Sequence, residues 1–384
     1  MNEYIKNATA QFETLLNEQI ARTARMEELS KPVDYAALDK LIIGICDGDG
    51  IGPIICKEAT RVLEILLADE IAAGRVELRR IEGLTLENRM AKEQSVPDDV
   101  LCAIKECHVL LKGPTTTPKG GTGAKELESA NVALRRELDL FANVRPVALP
   151  GEGIDWTFYR ENTEGEYVLG SRGVEIPGVL CCDFKVTTDL GTARIARAAY
   201  EFARKNGKTN VAIVTKANIM KKTDGKFARI CREIAETEYP ELMIEDWYID
   251  IMAANLVNPA IRQKFQVFVL PNLYGDIITD EAAQIQGGVG TAGSANVGGR
   301  YAMFEAVHGS APRMIEEGIG DYANPASILK AAEMLLRHVG KAAAADRLAN
   351  AMQVCTAPGA KVVVTGDRDG ATAKEFTDYL IETL

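Results

Sequence analysis

The sequence predicts an α/β protein built on a largely parallel sheet covered by helices. Three observations carry that reading. Strand candidates recur at 41–46, 76–81, 108–111, 211–214, 243–249 and 267–270, each of strand length. Helical patterns at 54–73, 98–106, 192–205 and 227–237 separate most of them, and such alternation marks parallel strands joined by crossover helices. The chain has 384 residues, 47% of them hydrophobic, enough for a large core and for two domains.

The elements follow in chain order. Residues 1–38 have no apolar central region, so they do not read as a signal peptide. Glu3, Glu13, Glu18, Glu27 and Glu28 argue against a transit peptide. Phe12, Leu15, Leu16 and Ile20 fit one face of an amphipathic helix, expected to dock on the body or on a partner subunit. The run at 41–46 enters the turn 47–53, Asp-Gly-Asp-Gly-Ile-Gly-Pro, before a helix. Residues 164–188 break the alternation: glycines at 165, 170, 173 and 178 and a β-rich piece at 179–186 read as a hairpin excursion. The hexapeptide 288–293, Gly-Val-Gly-Thr-Ala-Gly, matches the dinucleotide fingerprint. It follows a helical stretch rather than a strand, and Glu305 comes too early for the ribose role, so a Rossmann reading is set aside. The 47–53 turn is not that fingerprint either.

Composition excludes several function classes. The net charge of −11 argues against general nucleic-acid binding and against an acidic membrane surface. No apolar run approaches the ~20 residues that span a bilayer. Eight cysteines, at 46, 56, 102, 107, 181, 182, 231 and 355, show no CxxC pairing. Cys102, Cys107 and His108 lack further ligands, so the cysteines read as core residues of a reducing, cytoplasmic compartment.

The chemistry gathers around 272–280, Asn-Leu-Tyr-Gly-Asp-Ile-Ile-Thr-Asp. A helix opening after Gly275 would place Asp276 and Asp280 on one face. Asp250 closes the polar end of the run 243–249. Three such carboxylates converging on one point make a site for Mg²⁺ or Mn²⁺; the alternative is a helix start that favours acids near its positive end. Arg135, Arg145 and Arg160 could clamp a carboxylate substrate bidentately, or be solvated surface charges. Lys112 opens a rigid, hydroxyl-rich turn at 112–118. Tyr167 and Lys216 could carry proton chemistry, Lys216 at the end of a strand, where α/β sites gather.

Together these residues resemble the isocitrate/isopropylmalate dehydrogenase family, the metal-dependent β-decarboxylating dehydrogenases. The resemblance runs from about Leu41 to the C-terminus. Its carriers are Gly-Asp-Gly-Ile-Gly-Pro at 48–53, Lys-Gly-Pro at 112–114, Asn-Val-Arg-Pro at 143–146 and Arg-Glu-Asn-Thr-Glu at 160–164 with Tyr167. Further on come Lys-Ala-Asn at 216–218, Asn-Leu-Tyr-Gly-Asp at 272–276 with Asp280, His-Gly-Ser-Ala-Pro at 308–312 and Ala-Asn-Pro at 323–325. The resemblance implies a two-domain, isopropylmalate-dehydrogenase-like fold with a twisted mixed sheet that is not a Rossmann fold. The expected division is an extension at 1–38, a large cofactor-side domain at 39–140 and 287–384, and a small domain at 141–286. A β clasp at 164–188 would knit a homodimer with shared active sites.

The resemblance also implies roles. Asp250, Asp276 and Asp280 would hold Mg²⁺ or Mn²⁺, with Asp250 and Lys216 reaching in from the other subunit. Lys216 would help remove the substrate's hydroxyl proton, and Tyr167 would protonate the enol left after CO₂ departs. Arg135, Arg145 and Arg160 would hold carboxylates. Ser129 and Asn131 match the pair that receives the third carboxylate of isocitrate, which makes isocitrate the expected substrate and homoisocitrate the next; isopropylmalate members present an apolar surface there. The loop 112–129 is longer than is usual in bacterial isocitrate enzymes, and Ala-Lys-Glu-Leu-Glu at 124–128 is unusual for the family.

Lys112, Thr116, Thr117, Asn218, His308, Gly309, Ser310, Ala311, Pro312, Arg313 and Asn324 would bind NAD or NADP. Arg313 stands where NAD-linked members place an Asp, and a guanidinium there favours the 2′ phosphate of NADP. The stretch 365–370, Thr-Gly-Asp-Arg-Asp-Gly, resembles the NAD-linked pattern instead, although Arg368 could reach inward. Against the enzyme reading stands a non-catalytic regulatory subunit, which in this family loses Tyr, Lys or Asp residues that are all present here.

Overall fold

Twelve strands organise the described residues. In chain order they are β1 (Leu41–Cys46), β2 (Val76–Arg80), β3 (Val109–Lys112), β4 (Ala142–Leu149), β5 (Ile154–Glu161) and β6 (Val174–Ile176). Then come β7 (Leu180–Cys182), β8 (Asn210–Thr215), β9 (Met243–Tyr248), β10 (Val267–Leu270), β11 (Gly293–Val297) and β12 (Ala302–Ala306). The computed structural model describes residues 2–29, 31–118, 127–170, 172–288 and 292–384. Two compact units result. The first comprises Met1–Pro32, Arg135–Ile285 and Val297–Arg300; the second comprises Val33–Leu134, Gln286–Asn296 and Tyr301–Leu384.

In the first unit the strand order is β4-β5-β10-β8-β9. β4 and β5 run antiparallel, while β5, β10, β8 and β9 are parallel to one another. β10 shows why the apolar runs read so clearly. All four of its side chains are buried, so the run is continuous rather than alternating. Val267 and Val269 face a core with Ile195, Tyr200 and Ile213. Phe268 and Leu270 point the other way, to Trp156 and Phe158, as the two-residue period of a strand requires. Phe158 and Phe268 stack with ring centres 4.2 Å apart. The helix Asn272–Gln286 lies over this second face and inserts Ile278 and Ala282.

That helix opens at Asn272, four residues earlier than the sequence suggested, and Gly275 lies inside it. The reason is a close approach: a Cβ on Gly275 would stand 2.5 Å from Arg160 Cγ. Asp250 also departs from expectation. It does not close a strand but lies in the first turn of the helix Ile249–Leu256, where the helix dipole favours an acid. β6 and β7 form the expected antiparallel hairpin. The N-terminal helix runs over Asn2–Leu29. Leu15 is buried as expected, whereas Phe12, Leu16 and Ile20 remain exposed.

In the second unit the order is β2-β1-β3-β12-β11, with β1, β2, β3 and β12 parallel. The expected helix at 54–73 is two, Gly52–Leu66 and Ala68–Ala72, broken at Leu67. In the turn after β1, Gly48 and Gly50 have φ of +72° and +59°. A Cβ there would come within 2.1 Å of the Pro114 carbonyl oxygen and 2.0 Å of that of Ser310, so the backbone approach admits only glycine.

At 288–293, Gly293 opens β11 after the helix Asn272–Gln286. Helix before strand is the reverse of a dinucleotide-binding turn; residues 289–291 of this stretch lie outside the described residues. So do residues 119–126 of the long 112–129 loop. Five of the eight cysteines are buried, but Cys102, Cys181 and Cys182 are exposed, so they are not core residues. Cys181 and Cys182 sit on the solvent-facing hairpin strand β7. Among the described residues no helix is long and apolar enough to cross a membrane.

Candidate active site

Sheet register brings two of the expected arginines together. Arg145 on β4 is opposite Phe158 on β5, and opposed residues share a face. Arg160 is two residues beyond Phe158, so it shares that face too. The helix Asn272–Gln286 crosses above and presents residues 272, 276, 279 and 280, spaced to share a helical face.

The contacts are dense. Arg160 is 1% exposed. Its Nε and Nη2 donate to Asn272 Oδ1 at 3.0 and 2.6 Å, and its Nη1 donates to Asp276 Oδ1. Arg145 Nη1 donates to Thr279 Oγ1 at 2.6 Å and to Asp280 Oδ1 at 2.7 Å. Its Nη2 lies 3.9 Å from Asp276 Oδ1, so one guanidinium spans both aspartates. The Tyr167 hydroxyl donates to Asp276 Oδ2 at 2.8 Å. Arg160 also lies 5.4 Å from the Tyr167 ring centre, within cation–π range.

The electrostatics follow from this crowding. Burial would raise the Asp276 carboxyl, but Arg160, the Tyr167 hydroxyl, Arg145 and Arg135 outweigh it and hold it below the usual carboxylate range. Burial, then the Asp276 charge and hydrogen bond, push the Tyr167 phenol up to about 12. Tyr167 therefore keeps its proton at neutral pH. Burial, with Arg135 and Arg145 nearby, lowers Arg160 to about 9, still well above neutrality. The result is an ionised, half-exposed carboxylate beside a proton-bearing phenol and two cations.

Lys216 and Asp250 form a separate pair in the same unit. Lys216 directly follows β8, at its carboxyl end, as the sequence implied. Its Nζ donates to Asp250 Oδ1 at 2.6 Å, and that bond holds the Asp250 carboxyl low. Asp250 is 59% exposed. Among the described residues no three His, Cys, Asp or Glu side chains group closely enough to hold a metal. The expected convergence of Asp250, Asp276 and Asp280 therefore does not occur within one chain. Asp250 faces solvent from a helix of its own, while Asp276 and Asp280 are bound to arginines.

Asp276 and Asp280 nevertheless fit a hard divalent cation. Both are partly exposed oxygen donors four residues apart, and Asp276 is ionised well below neutrality.

The candidate cofactor residues lie mostly in the second unit, at the carboxyl ends of β1, β3 and β12. Asp49 ties these loops. Its Oδ1 accepts from the Leu86 amide at 2.7 Å and its Oδ2 from the Thr116 amide at 2.8 Å. Thr116 Oγ1 and Ser310 Oγ are 2.6 Å apart. Thr117 and Gly309 are exposed. Ala311 adopts a left-handed φ of 44° just before the helix Pro312–Glu316. His308 Nε2 is shut from solvent and finds no hydrogen-bond partner among the described residues, while burial lowers its ring pKa. A buried, unpartnered ring nitrogen beside a cradle of loop hydroxyls and amides fits a polar ligand such as a dinucleotide.

Not every expected cofactor residue fits. Lys112 is wholly buried and bonds to the Gly113 carbonyl at 2.8 Å and Glu305 Oε2 at 3.1 Å, so it is a structural ion pair rather than a cofactor contact. Asn324 Oδ1 accepts from the amide of Ala326, the first residue of the helix Ala326–His338, at 2.9 Å. Asn218 is exposed and belongs to the first unit, after β8. Arg313 is 84% exposed and donates to Glu317 Oε1 at 2.6 Å, while Arg368 reaches the Glu317 carbonyl at 3.3 Å.

Of the expected substrate contacts, Ser129 and Asn131 lie in the second unit and Arg135 in the first. The Ser129 carbonyl accepts from Ala133 to open the helix Ala130–Glu137. Asn131 Oδ1 accepts from Thr115 Oγ1 at 3.1 Å. Three residues bonded into these clusters were not predicted: Asn272, Thr279 and Asp49 all stood inside motifs already singled out, and Thr279 lies three residues after Asp276 on the same helical face.

A half-exposed acid pair, two guanidiniums and a phenol that keeps its proton equip a site for a small polyanionic acid and its proton transfers. The sequence model of the isocitrate/isopropylmalate dehydrogenase family matches residues 42–383, and the chain belongs to that family. It is 40% identical over 319 residues to the NADP isocitrate dehydrogenase of Rickettsia prowazekii (strain Madrid E), covering 80% of this chain. The chain spans 62% of the length of that relative. It is 34% identical over 345 residues to subunit 2 of the mitochondrial NAD isocitrate dehydrogenase of Schizosaccharomyces pombe, covering 88% of this chain and 86% of that one. The crystal structure of isocitrate dehydrogenase from Methylococcus capsulatus superposes with a TM-score of 0.77 at 33% identity, over 89% of this chain and 99% of that chain. The fold is thus that of the family, as the sequence predicted.

Proposed function

We propose that this chain oxidatively decarboxylates isocitrate to 2-oxoglutarate and CO₂, using a divalent cation and NAD(P). The observation that carries the reading is the cluster of Tyr167, Asp276, Asp280, Arg145 and Arg160, found in a chain whose relatives bear isocitrate dehydrogenase names.

Asp276 and Asp280 would hold Mg²⁺ or Mn²⁺, completed by Asp250 of a second copy in a homodimer. When bound, the cation supplies positive charge beside the substrate's hydroxyl and carboxylate, and the nicotinamide supplies the hydride acceptor. Arg135, Arg145 and Arg160 hold substrate carboxylates, two of them on a rigid sheet face. Ser129 and Asn131 receive the third carboxylate. Lys216 of that second copy helps remove the hydroxyl proton. Tyr167 delivers a proton to carbon after CO₂ leaves, and its raised pKa keeps that proton in place until then. The exposed Arg313, with Arg368 close to the same turn, favours NADP.

The test is reduction of NAD and NADP followed by absorbance, with Mn²⁺ and with isocitrate, homoisocitrate, isopropylmalate, malate and tartrate in turn. The expected result is turnover with isocitrate, abolished by a chelator and restored by Mn²⁺. Turnover that survives exhaustive chelation, or that prefers another acid, overturns the reading. A complete absence of turnover favours the non-catalytic subunit.

A further inference from the structure

We infer that the N-terminal helix is a strap that positions Tyr167, with Arg22 acting through Glu164 and Leu15 through the residues that follow the tyrosine. This rests on the catalytic role proposed for Tyr167.

The strap holds the tyrosine's loop on both sides. Before Tyr167, Arg22 Nη2 donates to Glu164 Oε1 at 2.7 Å. The two side chains are 11% and 3% exposed, so this is a charge pair largely withdrawn from water. After Tyr167, Leu15 packs in a buried cluster with Val168 and Leu169, beside Phe184 and Val186. Phe12 and Phe184 add a ring contact at 5.0 Å. Further along, Gln11 Nε2 donates to the Gly173 carbonyl at 2.9 Å, and Glu18 pairs with Arg172.

Glu164 is the point where the strap meets the site. Its carboxylate also accepts from the Thr188 amide at 2.8 Å, at the N-terminus of the helix Asp189–Lys205. There is no room for a side chain between them: a Cβ on Gly191 would meet Glu164 Oε1 at 2.4 Å. The Glu164 carbonyl accepts from Asn272 Nδ2 at 2.9 Å, and Asn272 Oδ1 accepts from Arg160. Arg160 and the Tyr167 hydroxyl meet on Asp276. A chain of direct contacts therefore runs from Arg22 to the carboxylate that Tyr167 touches. Removing the arginine leaves a buried carboxylate without its counter-charge, and the loop must shift to hydrate it. Displacement of a reacting group by a fraction of an ångström lowers turnover more than binding.

The test uses the full chain, labelled at the tyrosine ring carbon that bears the hydroxyl. The Tyr167 resonance is assigned with Tyr167→Phe, and that of Tyr200, buried elsewhere against the Cys231 carbonyl, is the control. In Arg22→Met the Tyr167 resonance should move while the Tyr200 resonance stays, and kcat should fall about tenfold with KM little changed. Arg22→Lys, which keeps the charge, should recover most of both. A folded Arg22→Met with an unmoved Tyr167 resonance overturns the inference. Should Arg22→Met fail to fold, Leu15→Ala decides: a displaced or broadened Tyr167 resonance supports the strap, and an unmoved one overturns it. If the wild-type chain turns over no isocitrate, the proposed activity fails, and the resonance still decides the strap.

Discussion

Arg160 and Arg313 are the same side chain kept in opposite ways. Arg160 is 1% exposed and bound on Asn272 and Asp276, between a sheet face and a helix. Arg313 is 84% exposed and held by one carboxylate four residues on. The pair Lys216–Asp250 belongs with Arg313 in this respect. Buried charges are fixed because each would be costly to leave unpaired. Exposed pairs open for about 1 kcal/mol or less, so they can trade partners for a ligand. The first unit thus has a preorganised centre, while the exposed pairs remain able to rearrange.

The largest effect is expected at Asp276. Asp276→Asn removes the charge that balances the buried Arg160. Unfolding by denaturant should show a loss of about 2 kcal/mol, below the usual range for a fully buried pair because Asp276 is 40% exposed. Mn²⁺ affinity, read by calorimetry, should fall with it. The pH dependence has a definite sign. The folded pKa of Asp276 is depressed, so its stabilisation is present above the unfolded carboxylate value of ~3.9 and is lost as pH falls through the lower folded value. Asp276→Asn should therefore flatten the acid limb of stability below about pH 4. An unchanged unfolding midpoint and acid limb would show that Arg160 needs no counter-charge.

Tyr167→Phe sharpens the comparison by deleting one oxygen and little volume. Turnover of isocitrate should fall by about 10²-fold, while stability changes by no more than about 1 kcal/mol. Equal losses in kcat and in stability would mean that the hydroxyl is only a structural bond to Asp276. At the exposed extreme, Arg313→Asp should shift the kcat/KM ratio of NADP over NAD by about tenfold, which takes ~1.4 kcal/mol. A ratio that stays put removes Arg313 from cofactor choice. Smallest of all is the stability effect of Asp250→Asn: for so exposed a pair the unfolding midpoint should barely move, even if turnover collapses. A large loss of stability there would place Asp250 in a buried setting that one chain does not show.

β1 and β10 were legible because burial keeps both apolar without interruption. Both matched their apolar runs residue for residue. β4 and β5 escaped notice although they carry the site. Arg145 and Pro146 interrupt one, Arg160 and Glu161 end the other, and charge in a strand reads as loop unless a helix such as Asn272–Gln286 is known to cover it. The site was legible as a set of residues, because motif order reveals Tyr167, Arg145, Arg160, Asp276 and Asp280 together. Its pairings were not. Which carboxylate each arginine takes depends on strand register, and nothing local shows that Lys112 turns inward to Glu305 while Arg313 stays in solvent. Nor does the chain by itself tell Asp250, on a helix of its own, whether to meet Asp276 and Asp280 on theirs.

The glycine turn after β1 has a consequence in time rather than in energy. Gly48 and Gly50 let backbone touch backbone, so the Asp49 amide donates to the Pro114 carbonyl at 2.8 Å and the Ile51 amide to the Ser310 carbonyl at 3.0 Å. The Thr116 amide is closed by Asp49 in turn. Three loops distant in sequence are stitched through one four-residue stretch, and none can lift without the others. Their amide protons should therefore exchange with deuterium as one cooperative group, at one common opening rate. A polar ligand seated on these loops would slow all three together.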